Sequence, residues 1–164
     1  MKHIFLSYSR TDAEIMRRVR DTLREEGLTI WTDESLTPGT PSWQAAIEAA
    51  LENAGCVVAL LSPDARKSQW VANELSFAAA QGVTVFPAWV RGEEKEAVPL
   101  QLINAQRVDL RTRFLVGMQS LVDAVREHLS RLDGDDETPV DETAWMDRRR
   151  QYVQFWKLLQ ERSK

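Results

Sequence analysis

The stretch Ser68-Gln69-Trp70-Val71-Ala72-Asn73-Glu74-Leu75 sets an acid in an unusual place. Trp70, Val71, Glu74, Leu75 and Ala78 recur at three- and four-residue spacing, so they share one helical face, with the Glu74 carboxyl one turn beyond the Trp70 indole. Ser68 can cap this helix, its hydroxyl accepting from an orphan N–H of the first turn. Two readings of Glu74 stand side by side. In one it edges into solvent from the margin of a core stripe, the usual fate of a charged group, since such groups are seldom buried unpaired. In the other, partial burial beside the indole lowers the local dielectric, and a single carboxylate there can stabilise positive charge as it develops. These residues alone leave both readings open.

The elements that must position Glu74 follow from the rest of the chain. One hundred and sixty-four residues, 43% hydrophobic and 28% charged, suit one globular domain with some chain to spare. A net charge of −4 and a pI near 5.3 give no general attraction for nucleic acid or an anionic membrane. No apolar run approaches the ~20 residues needed to cross a bilayer. The N-terminus also passes straight into a strand-like segment, without a signal peptide's apolar region, so a cytoplasmic location is expected. Cys56 is the one cysteine and reads as inert core. His3 and His128 are the only histidines and read as surface residues, so no metal site is expected.

Ile4 to Tyr8 is a compact apolar run that suits a buried strand, and Asp12 or Thr11 can open a helix with Ile15, Met16, Val19 and Leu23 inward, stopped by Gly27. Leu28 to Thr32 reads as a second strand, which completes a parallel crossover unit. From Asp33 to Ser42 two prolines and a glycine favour turns, so a shaped surface loop is expected there. A helix from about Trp43, a wholly apolar strand over Cys56–Leu61, the Glu74 helix to Gln81, a strand over Val83–Val90, a weaker one at Arg107–Leu110 and a helix over Phe114–Leu129 complete the pattern. Strands alternating with helices predict an α/β fold, an open parallel sheet of about five strands with helices on both faces. In such sheets ligands bind at the carboxyl ends of the strands, where Ser7–Asp12, Asp33–Ser42, Ser62–Trp70 and the segment from Trp89 onward, with the charged loop Arg91–Glu96, fall. Residues 133–142 form an acidic linker, and 143–164 an amphipathic helix whose Trp145, Tyr152 and Trp156 call for a partner surface.

Four motifs carry a resemblance. Ile4-Phe5-Leu6-Ser7-Tyr8-Ser9-x-x-Asp12, the loop Leu36-x-Pro38-Gly39, the strand Cys56-Val57-Val58-Ala59-Leu60-Leu61-Ser62 and the block Ser68-x-Trp70-Val71-x-x-Glu74-Leu75 together resemble the Toll/interleukin receptor homology (TIR) domain, especially its bacterial branch, with residues 1–132 as the domain. The resemblance implies a flavodoxin-like TIR architecture. Many members cleave the nicotinamide–ribose bond of NAD+ with a glutamate in a W-x-x-x-E context, the position that Glu74 matches. Others only assemble signalling complexes, through the loop in which Pro38 and Gly39 stand here. Carried onto this chain, the resemblance implies an NAD+ glycohydrolase or ADP-ribosyl cyclase in bacterial signalling or immune defence. NAD+ is its substrate, no resident cofactor is involved, and the domain self-associates through TIR–TIR contacts.

On that reading Glu74 stabilises the oxocarbenium-like centre left when nicotinamide departs. Trp70 and Trp43 offer flat apolar faces to nicotinamide or adenine, with core packing the competing role for Trp43. Phe5, Tyr8 and Ser9 lie where the first strand opens onto the cleft. Arg10 can meet a pyrophosphate or stay a plain surface residue, and Asp33 can contact ribose or cap the loop. No G-x-G-x-x-G follows the first strand, so dehydrogenase-type dinucleotide binding is not supported. The alternative is a TIR–TIR interaction module without chemistry, because fold does not fix function.

Overall fold

The computed structural model describes residues 2–36 and 43–135 of the chain, the side chains of Ser35, Trp43 and Asp135 excepted. Five strands form one sheet: β1 (Ile4–Ser7), β2 (Ile30–Trp31), β3 (Cys56–Leu61), β4 (Val85–Trp89) and β5 (Val108–Asp109). Their order is β2-β1-β3-β4-β5 and every pairing is parallel. This is the flavodoxin-like strand order, as expected. The helices are α1 (Ala13–Glu25), α2 (Trp43–Glu52), α3 (Pro63–Lys67), α4 (Gln69–Ala80), α5 (Glu94–Ala97) and α6 (Phe114–Asp135).

Alternation along the strands divides the core into two layers, because successive side chains point to opposite faces of a sheet. Ile4 and Leu6 of β1, with Cys56, Val58 and Leu60 of β3, join one cluster with Met16, Val19 and Leu23 of α1 and Met118, Leu121 and Val125 of α6. Phe5, Ser7, Val57, Ala59 and Leu61 therefore take the other face, where α4 packs on β1 and β4. Both faces of the central strands are covered, which is why β3 reads as an unbroken apolar run.

Pro87 lies inside β4, opposite Ala59 of β3. Thr84 O accepts from Val57 and Val90 N donates to Leu61, so even-numbered backbone groups of β4 face β3. Trp89 O accepts from Leu110, so odd-numbered groups face the β5 side, and it is there that Pro87 has no donor to give. Since β5 begins its pairing only at Ala88, no ladder bond to it is lost.

The expected elements are present, with shorter strands and two additions. Ser62-Pro63-Asp64 follows β3 and opens α3: the Ser62 hydroxyl accepts from Ala65 N at 3.0 Å and Pro63 takes the first helical position. The charged loop after Val90 contains the short α5. Ser68 caps α4 as expected, accepting from Val71 N at 3.2 Å, and Gly82 follows it with φ +69, in the left-handed region that favours glycine. His3 and His128 are half-buried, not surface residues. Each ring binds a backbone carbonyl, of Ala50 at 2.7 Å and of Gly55 at 3.0 Å. Helix α6 runs to Asp135, past the expected domain end at Leu132. The Pro38-Gly39 loop, the remainder of the acidic linker and the helix expected over 143–164 lie outside the described residues. No helix among the described residues is long and apolar enough to cross a membrane.

Candidate functional site

Glu74 sits in the second turn of α4, on the side turned to the sheet, and is 4% exposed. The sequence left it at the margin of the helix; the fold closes over it. Its partner is Ser7, the last residue of β1, whose hydroxyl donates to Glu74 Oε1 at 3.2 Å. Ser7 can reach it because strand alternation turns Ser7 away from the Ile4 and Leu6 layer and towards α4. Burial pushes the Glu74 carboxyl well above its ordinary pKa, and the nearby negative charge of Asp33 acts in the same direction; the Ser7 hydroxyl works against both. Glu74 therefore keeps its proton to a higher pH than an exposed glutamate.

Beyond Ser7 the chain turns outward. Tyr8 is buried, and its hydroxyl donates to Asp33 Oδ1 at 2.5 Å. Burial and this bond to a carboxylate hold the phenol above its usual range, so it stays a donor. Asp33 opens a short 3-10 turn, Asp33–Ser35, after β2. Glu34 fastens that turn to α1, accepting from Arg17 at 2.6 Å and Arg20 at 3.1 Å. Tyr8, Arg10, Ala13, Asp33 and Glu34 line a hollow of about 270 Å³ at the carboxyl edge of the sheet. It combines a cation, a phenol and two acids, a polar lining.

The structure thus gathers Tyr8, Arg10 and Asp33 at one hollow and sets Asp33 close enough to Glu74 for their charges to interact. Trp70 is half-buried in the first turn of α4, one turn before Glu74. Ser9 hydrogen-bonds Thr11 at 2.8 Å. Phe5, expected where the first strand opens onto the cleft, is 1% exposed and stacked on Trp31 with ring centroids 5.0 Å apart, on the sheet face that also carries Ser7. The Trp43 side chain, Pro38 and Gly39 lie outside the described residues.

Three site residues were not singled out for a role at the site. Ser7 read only as part of a strand, though a lone hydroxyl at the end of an apolar run was a signal. Asp12 read as a helix cap, yet its side chain makes no cap bond and is buried against Ser62 and Arg91. Arg91 read only as the start of a charged loop. Among the described residues no group of three or more His, Cys, Asp or Glu could hold a metal ion.

A family model described as TIR domain matches residues 4–122. Among solved structures, the chain is similar to the TIR domain of the Toll-related receptor TRR-2 from Hydra magnipapillata, at 21% identity and TM-score 0.66 over 77% of this chain and 99% of that one. It is also similar to the TIR domains of the activated Roq1 resistosome that directly recognises the pathogen effector XopQ, at 15% identity and TM-score 0.58 over 77% of this chain and 98% of that one. None of the curated proteins matches its sequence.

Proposed function

The chain belongs to the TIR domain family, and from that premise we propose that it is an NAD+ glycohydrolase in which Glu74 carries the chemistry. On this reading it works in the cytoplasm, in bacterial signalling or immune defence, and self-associates when active. One observation supports the reading above the others: an acid one turn beyond Trp70 is enclosed, held by a buried serine, and set beside a hollow with Arg10 and Asp33.

In the reaction the bond between ribose C1′ and the nicotinamide nitrogen breaks. Its electron pair leaves with the nitrogen, which neutralises the pyridinium, and the positive charge passes to the ribosyl ring. A carboxylate in a dry setting favours that transfer, because its attraction for the ribosyl cation is little screened. Water then adds at C1′ and gives up a proton, yielding ADP-ribose; attack by a group of the adenine instead yields a cyclic isomer. The raised pKa of Glu74 fits this use. The pyridinium of bound NAD+ is itself a cation, and its arrival favours the ionised acid. The test is nicotinamide release by purified protein. Glu74→Gln keeps the size of the side chain and removes the charge, and turnover should fall by at least ~100-fold, as for the loss of a preorganised charge-stabilising group. Near-parental turnover in that variant removes Glu74 from the mechanism.

The second reading, a TIR–TIR interaction module without chemistry, is favoured by the 4% exposure of Glu74, since an enclosed acid presents little surface to a ligand. Absence of NAD+ loss at every protein concentration would select it.

A further inference from the structure

Arg91 leaves the end of β4 and reaches back across the sheet edge. Its Nε donates to Asp12 Oδ1 at 3.0 Å, and a terminal nitrogen donates to Asp64. Asp12 is 3% exposed, and its second oxygen accepts from the Ser62 hydroxyl at 2.5 Å. A carboxylate is tolerated at such depth when its oxygens are satisfied, and here both have partners. The start of α1 and the segments that follow β3 and β4 are thereby tied at one point. The tied residue also closes the turn that carries Arg10. Asp12 N donates to Ser9 O at 2.8 Å, Ala13 N donates to Arg10 O, and Arg10 and Ala13 both line the hollow beside Tyr8 and Asp33.

We infer that Arg91 is a positioning residue for this hollow: through Asp12 it fixes the Ser9–Asp12 turn so that Arg10 is presented to the diphosphate of the substrate, an inference that rests on the NAD+-cleaving reading above. Arg91 touches the ligand only through that turn. Its removal should therefore weaken substrate capture and leave the bond-breaking step at Glu74 alone.

The experiment is a double-variant cycle on the full chain, with NAD+ as substrate. Arg91→Gln should raise KM about tenfold with kcat within about twofold, the size expected of coupling carried through one contact. Arg91→Lys, which keeps a cation beside Asp12, should recover most of the loss. In an Arg10→Ala background, Arg91→Gln should add nothing further, because the group it positions is gone. A shift of the same size in that background overturns the inference, as does no shift at all in the parent background. Hydrogen exchange separates this from the activity itself. Should the parent chain cleave no NAD+, the activity reading falls alone. Faster exchange at the Asp12 and Ala13 amides in Arg91→Gln, with α4 unchanged, then supports the positioning role, and unchanged exchange overturns it. If Arg91→Gln does not fold, Asp12→Asn keeps the shape of the buried group and is read by the same two measurements.

Discussion

Glu74 ties its stability contribution to pH in the direction opposite to that of a salt-bridged acid. Its folded pKa is raised by burial, so over the window above the ordinary carboxylate value, near 4.5, the folded chain binds more protons than the unfolded one. Stability then falls as pH rises through that window and levels off once Glu74 is ionised in both states. Glu74→Gln removes the titration and preserves a polar partner for Ser7. Urea unfolding at pH 4.5 and pH 8 should show the parent losing more stability than the variant over that interval. Equal losses would mean that Glu74 ionises as freely as an exposed acid. The spacing of Trp70, Val71, Glu74 and Leu75 made the face of this residue legible in the sequence. Its depth was not, because the partner that makes burial tolerable is Ser7, 67 residues away. The same distance hid Asp12, whose neighbours Ser62 and Arg91 lie 50 and 79 residues along the chain. Periodicity reports which way a side chain points and carries no information on what meets it there.

Among the elements, those with a long repeat were legible: α1, α2, α4 and α6, and the apolar strand β3. Helices α3 and α5, at five and four residues, are too short to show a period; α3 opens on its Ser62 cap, and the two pack against each other. Gly92, between β4 and α5, is where that packing is tightest. It has φ +86, and a Cβ there would lie 2.6 Å from the Cγ and Cδ of Pro63, the first residue of α3. Gly92→Ala adds left-handed strain to a clash with a ring that cannot bend away, and should destabilise the fold by about 3 kcal/mol. The urea midpoint reads the loss. Trp89 fluorescence should shift as well, because its indole Nε1 donates to Gly92 O at 3.0 Å and its ring lies 3.3 Å beneath the Arg111 guanidinium. An unchanged midpoint would show that α3 yields readily.

For the molecule as a whole, the enclosure of Glu74 means that, on the NAD+-cleaving reading, the arrangement described here is a resting one and cleavage needs a more open state. If assembly of copies favours that state, activity follows the competent fraction and not the number of molecules. Specific activity should then rise severalfold across a hundredfold increase in protein concentration, measured as nicotinamide released per unit protein. A flat profile would assign the opening to the substrate alone. Crowding of this kind also brings sheet flanks near one another, and here Pro87 acquires a second meaning. The half of β4 that precedes its pairing with β5 lacks a β5 partner, and an open flank of that kind would be a template on which a foreign strand can zip, the first step towards fibrous aggregate. Pro87 is buried at that flank and brings no donor to it, so a newcomer finds neither access nor a ladder bond there. On the proposed reading, copies of this chain can gather without polymerising through this flank of the sheet.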